Sequence, residues 1–167
     1  LSPRIDETAL PGEDPIKLAQ RLALAKASAI ARLRPDALVI GSDQVATAGG
    51  NVRGKPGNLE AAAEQLRCSA GQRVSFFTGL AVVNTRNDIE LLHIEPFHVH
   101  FHPLSEADIQ GYLRREDVQD CAGSFKVEGL GITLFERLEG DDPTSLEGLP
   151  LISLTRLLRA AGVNPIS

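Results

Sequence analysis

Four polar stretches interrupt an otherwise apolar chain, and their residue types suggest one kind of chemistry. "IDET" (5–8) carries Asp6 and Glu7, and "GSDQ" (41–44) carries Asp43 and Gln44. "GKP" (54–56) frames Lys55 between glycine and proline, and "CAGSFKVEGLG" (121–131) places Lys126 and Glu128 among glycines. Lys26 stands among alanines and other apolar residues. Carboxylate oxygens hold Mg²⁺, and lysine ammonium groups offset phosphate charge, so the set has the composition of a metal–polyphosphate site. Each stretch also has a plainer reading. Charged loop residues are usually solvated, and a lysine among alanines can snorkel along an apolar surface. Asp43 itself has two readings after the apolar run Ala37–Ile40: an Asx turn closing a strand, or a carboxylate presented outside the carboxyl end of a buried strand.

Other chemistries lack their signatures. The chain has no Walker A sequence, no G-x-G-x-x-G, no G-x-S-x-G elbow and no H-E-x-x-H. Cys68 and Cys121 do not form a metal spacing and suit a reducing compartment. In "FHVHFH", His98, His100 and His102 share one face of an extended strand. Their ends would lie ~13 Å apart, too far for one zinc ion to reach easily, so a solvated face opposite Phe97, Val99 and Phe101 is expected.

The elements that must carry these residues are legible from periodicity and punctuation. Residues 11–36 predict a helix capped by Asp14, with Pro15 in its first turn, Leu18, Leu22, Ala25, Ala29 and Leu33 as its apolar stripe, and Pro35 as a stop. A strand is expected over 37–42, ending at Asp43, and a loop over 51–58. Asn58 can cap a helix over 59–68. Residues 73–84 and 89–104 predict two long strands joined by "NTRND", the first interrupted at Thr78-Gly79. Ser105 and Asp108 form a candidate capping box for the next helix. Residues 130–140 predict a further strand, and 148–162 a final helix with Pro150 near its start and Gly162 at its end. Interleaved helices and strands, with two neighbouring strands paired, predict an α/β or α+β fold on a mixed sheet.

The 167 residues suggest a single domain spanning 1–167, and 43% apolar content is that of a globular chain. A net charge of −5 and only 4% aromatics speak against a nucleic-acid polymer as partner, but not against a nucleotide in a local basic pocket. No run approaches ~20 apolar residues, and no signal peptide is visible in a chain that begins on Leu1 rather than Met, so a cytoplasmic protein without membrane association is expected.

Taken in order, "IDETALPGEDP…LAQRLALAKASAI", "VIGSDQV", "RGKPGN", "TGLAVV", "LSEADIQGYL" and "CAGSFKVEGLGITLFERLEGDDPTSLEGLPL" resemble the Maf-like nucleotide pyrophosphatases from residue 5 onward. "GSDQV" and "AGSFKVEGLGI" resemble the YceF-type, 7-methyl-GTP pyrophosphatase branch. The dTTP/UTP-cleaving branch typically has threonine after the Asp and Gln-Gly where this chain has Glu128-Gly129.

The resemblance implies an elongated, two-lobed fold around a central cleft, related to inosine-triphosphate pyrophosphatases and often a homodimer. It implies hydrolysis of a nucleoside triphosphate to a monophosphate and pyrophosphate with Mg²⁺ or Mn²⁺. By position, Asp43 matches the proposed proton acceptor; Glu7, Lys26 and Lys55 match polar, catalytic positions of the cleft. Gln44 and Glu128 match specificity positions, and Lys126 is a further candidate for substrate binding. Asp43 and Glu7 are the candidate metal ligands. Relatives begin with a strand and a Ser-x-Ser-x-x-Arg-type phosphate loop that this chain is expected to lack. Alternative readings are pyrophosphatase action on another non-standard nucleotide, or a non-catalytic nucleotide-binding regulator linked to septum formation.

Overall fold

A computed structural model describes residues 3–167. Helix α1 spans Pro15–Ala31, strand β1 Val39–Ala48, β2 Asn51–Arg53, α2 Leu59–Ser69, β3 Arg73–Asn84 and β4 Ile89–Phe101. Helix α3 follows at Glu106–Leu113, β5 at Phe135–Gly140 and α4 at Leu151–Ala160, with 3₁₀ turns at Leu130–Leu134 and Pro143–Glu147. This is a mixed α/β protein on a five-stranded sheet ordered β2-β1-β3-β4-β5. The β1–β2 and β4–β5 pairings are antiparallel.

The helix starts follow from local chemistry. The Asp14 carboxylate accepts from the Ile16 and Lys17 amides, and Pro15 at the first position forgoes a donor that would have no partner. Asn58 accepts from the Ala61 amide. Ser105 and Asp108 form a reciprocal capping box at α3.

The chain divides into two compact units. One comprises the chain up to Gln44, Phe77–Glu95 and Thr144–Ser167; the other comprises Val45–Phe76 and Pro96–Pro143. In the first, alternate residues of the strands face two different helices. Ala23, Ala27 and Ala31 of α1 pack with Val39, Ala81 and Val83. Leu80 and Val82 instead pack with Leu154 of α4. The α1 layer is unusually close because two strand residues are glycines. A Cβ on Gly41 would stand 2.7 Å from the Ala27 nitrogen, and one on Gly79 would overlap the Ala19 carbonyl, with its carbon at 2.6 Å.

The second unit is built on aromatic packing. Phe76, Phe101, Phe125 and Phe135 meet edge to face, with centroids 4.8–6.0 Å apart. Phe97, Val99 and Phe101 are buried, and α2 packs against α3.

Several expectations need correction. The first strand does not end at Asp43 but runs on to Ala48, so Asp43 is mid-strand. The space beside Gly41, just before Asp43, is filled by Ala23 and Ala27 of α1. The buried stripe of α1 is Leu18, Ala19, Leu22, Ala23, Ala27 and Ala31, whereas Leu33 lies beyond the helix and is 73% exposed. Residues 51–53 pair as a short strand rather than a loop. β3 is continuous through Thr78-Gly79, and the segment from Leu130 forms a 3₁₀ turn before β5 begins. There the Gly131 amide donates to the Lys126 carbonyl at 3.0 Å, which bends the chain too tightly for a strand.

Candidate functional site

Three of the residues singled out in the sequence converge in the first unit. The Lys26 ammonium on α1 lies 2.6 Å from Asp43 Oδ1 on β1 and 2.8 Å from Glu7 Oε1. Lys26 and Asp43 meet because α1 crosses β1 at Gly41, one strand repeat before Asp43, on the same face of the sheet. The Asp43 side chain is 12% exposed and that of Glu7 55%. Burial alone would lower the Lys26 pKa, but the hydrogen bonds to Asp43 and Glu7 outweigh it and hold the group above the ordinary lysine value.

Glu7 sits on an irregular segment that needs its own anchor. Arg21 of α1 supplies it: its Nε and Nη2 each lie 2.7 Å from Glu13, and Nη2 also donates to the Thr8 carbonyl at 3.1 Å. Glu13 accepts the Leu10 amide as well. The Arg21 hydrogen bonds hold the Glu13 carboxyl down at about 2. Asp6, the neighbouring carboxylate, accepts from the Thr8 amide at 2.9 Å and shapes the backbone. Arg21 and Glu13 drew no notice in the sequence, because eight residues separate them and the pairing depends on how the segment folds back.

Gln44 lies beside Asp43 in sequence but bonds elsewhere. Its Nε2 donates to the Ser145 carbonyl at 2.6 Å and to Thr78 Oγ1 at 3.1 Å.

The chain matches the family described as Maf-like protein over residues 1–161. It belongs to that family. Maf-like proteins are in general nucleoside triphosphate pyrophosphatases, that is, hydrolases of nucleotide metabolism. The Asp43–Lys26–Glu7 cluster of this Maf-like chain supplies carboxylates and a cation of the kind that such chemistry uses.

The other candidates belong to the second unit. Lys55 is exposed on the irregular loop before α2, Lys126 is half-buried, and Glu128 is exposed. Hydrogen bonds through Gln65 of α2 tie these loops together: Gln65 accepts from Ser124 Oγ at 2.7 Å and donates to the Gly54 carbonyl at 3.0 Å. The Gly57 amide adds a bond to the Gln119 carbonyl at 2.9 Å. The Lys126 amide donates to the Tyr112 hydroxyl at 3.0 Å, and burial pushes that phenol up to about 12. Glu116 receives the Leu130 amide at 2.8 Å and braces the turn that follows Glu128. Gln65, Tyr112 and Glu116 gave no sequence signal, since their partners are backbone groups 11 to 14 residues away and, for Gln65, also the Ser124 hydroxyl 59 residues away.

The strand histidines pair individually. His98 contacts Ser75 Oγ at 2.9 Å, His100 contacts Glu139 at 2.9 Å, and His102 contacts Glu136 at 3.5 Å. Among the described residues, no group of three or more His, Cys, Asp or Glu side chains is arranged to hold a metal. No helix among them is long and apolar enough to cross a membrane.

Proposed function

We propose that the protein hydrolyses a nucleoside triphosphate, with 7-methyl-GTP as substrate, to the monophosphate and pyrophosphate. The observation carrying this reading is the contact of one ammonium, Lys26, with two carboxylates, Asp43 and Glu7, in a Maf-like chain. Two carboxylates, with no third protein ligand among the described residues, fit Mg²⁺ or Mn²⁺ in one respect. Mg²⁺ is commonly held by one or two carboxylates, with substrate phosphates and water completing its shell. Asp43 and Glu7 would hold such an ion, which when bound would neutralise phosphate oxygens.

The chain's own groups have the remaining tasks. Water adds to the α-phosphorus, its proton passes to Asp43, and the bond to the bridging oxygen breaks to release pyrophosphate. Lys26 offsets charge on the phosphates, and its position between the two carboxylates keeps it in place for that task. Lys55 is assigned the same charge-offsetting role and Lys126 a substrate contact, both on side-chain chemistry.

Glu128 is assigned to base selection. Methylation at N7 gives guanine a delocalised positive charge. A carboxylate can accept from both N1–H and N2–H₂ and balance that charge, whereas a neutral glutamine offers one acceptor oxygen and no charge.

Pyrophosphate release from a panel of triphosphates, with Mg²⁺ or Mn²⁺ supplied, tests the reading. The expected result is turnover of 7-methyl-GTP above the ordinary triphosphates, abolished by chelation. Turnover preferring another modified nucleotide would replace the substrate, and no pyrophosphate release from any member would overturn the activity.

A further inference from the structure

Gln65 of α2 is half-buried, and its amide ends between two loops that carry lysines. All of these residues belong to the second unit. Nε2 donates to the Gly54 carbonyl at 3.0 Å, and Oε1 accepts from Ser124 Oγ at 2.7 Å. The orientation of the amide is dictated by the Gly54 oxygen, which needs a donor. The Ser124 hydroxyl must then donate to the other end.

Each bond governs the backbone at a lysine. The Gly54 carbonyl and the Lys55 N–H belong to one planar peptide unit, so holding the oxygen holds the plane from which Lys55 departs. Pro56 then confines Lys55 to extended conformations. In the other loop, Ser124 is fully buried and sits at φ +63°, a left-handed conformation that a residue with a Cβ adopts only at a cost. Gly123 before it is also left-handed, at φ +79°. The Ser124–Gln65 bond offsets the strain in this turn. Two residues on, the Lys126 amide donates to the Tyr112 hydroxyl at 3.0 Å.

We propose that Gln65 is a positioning residue for a polyphosphate. A single amide ties the Lys55 loop and the Lys126 turn to the same point of α2, and so sets the separation at which the two ammonium groups meet one chain of phosphates. The choice of ligand rests on the pyrophosphatase reading; the coupling of the two loops does not.

Gln65→Met keeps an unbranched side chain of similar length and removes both polar ends. Ser124→Ala cuts the Lys126 arm alone, and it serves if the first variant folds poorly. Hydrogen exchange is followed at two amides, Gly57, which bonds the Gln119 carbonyl at 2.9 Å, and Lys126. Loss of a part-buried hydrogen bond predicts exchange faster by about 10-fold or more at both amides in Gln65→Met, and at Lys126 alone in Ser124→Ala. Affinity for inorganic tripolyphosphate is then measured in double-mutant cycles with Lys55→Ala and Lys126→Ala. Gln65→Met should couple to both lysines by at least about 3-fold, and Ser124→Ala to Lys126 alone. None of these substitutions adds a charge, so the pattern reports position. Unchanged exchange at both amides in Gln65→Met would overturn the coupling of the loops. Faster exchange with strictly additive losses of affinity would overturn the positioning role, because a merely structural glutamine behaves that way. The coupled pattern in protein that releases no pyrophosphate sustains this proposal and sinks only the hydrolytic reading.

Discussion

Replacing Lys26 with methionine keeps an unbranched apolar stem of similar length on α1 and removes the ammonium. Two contacts are lost, and their exposures separate their weights. Asp43, 12% exposed, loses a charge-assisted hydrogen bond of 2.6 Å, for which about 1.5–3 kcal/mol is expected. Glu7, 55% exposed, loses one of 2.8 Å, for which about 0–1 kcal/mol is expected because solvent already screens it. The single substitution should therefore destabilise the protein by about 1.5–4 kcal/mol at neutral pH, centred on ~3 kcal/mol. With a urea slope of about 2 kcal/mol per molar, the unfolding midpoint should fall by roughly 1–2 M.

Double-mutant cycles of Lys26→Met with Asp43→Asn and with Glu7→Gln should give the larger coupling to Asp43. The pH dependence has a definite sign. The Lys26 pKa is raised above its ordinary 10.5, so its contribution is complete below that value and is lost only as pH rises through the folded pKa. The difference between wild type and Lys26→Met should therefore persist at mildly alkaline pH and shrink above about 10.5. A Lys26→Met protein within about 0.5 kcal/mol of wild type, the range of an ordinary surface change, would refute the reasoning. Coupling to Glu7 larger than coupling to Asp43 would refute the ranking by exposure.

Asp43→Asn should lower pyrophosphate release by at least ~10²-fold while leaving the far-ultraviolet circular dichroism spectrum unchanged, and near-normal turnover would remove Asp43 from the mechanism. Glu128→Gln should weaken selectivity for 7-methyl-GTP by roughly 10- to 100-fold in relative kcat/KM, as for one charged hydrogen bond; equal losses on all triphosphates would count against a base-reading role. Gly41→Ala should cost about 1–3 kcal/mol or more in urea unfolding, since its Cβ would lie 2.7 and 2.8 Å from Ala27 nitrogen and Cβ, whereas Gly54→Ala, which meets nothing, should be nearly neutral. Glu13 carries a pKa lowered to about 2 from 4.5. Its contribution is thus present above about 4.5 and lost as pH falls towards 2, so thermal melts of wild type and Glu13→Gln should differ at neutral pH and converge in acid.

Features set within a few residues were legible in the sequence. Asp14, Asn58 and Ser105 cap the predicted helices because a cap needs only a short side chain and amides two or three positions on. The β3–β4 hairpin follows from two long apolar runs flanking a short polar turn. The residue types around Asp43 gave an expectation of phosphate chemistry, but no information on which residues meet. Periodicity alone also misplaced the face of α1. Its deepest positions are alanines chosen by Gly41 and Gly79, which lie on strands, and no helical pattern contains that information.

Only the tertiary fold brings Lys26 to Asp43 across 17 residues and to Glu7 across an irregular segment held by Arg21 and Glu13. Strand alternation by itself sends Asp43 and Gln44 to opposite faces, but the partner that occupies Gln44 is a backbone carbonyl 101 residues away. A backbone carbonyl is present at every position in the chain and so leaves no mark in residue identities. Which carbonyl comes within reach of a side chain is decided by how sheet and helices pack, and that packing is a property of the whole chain.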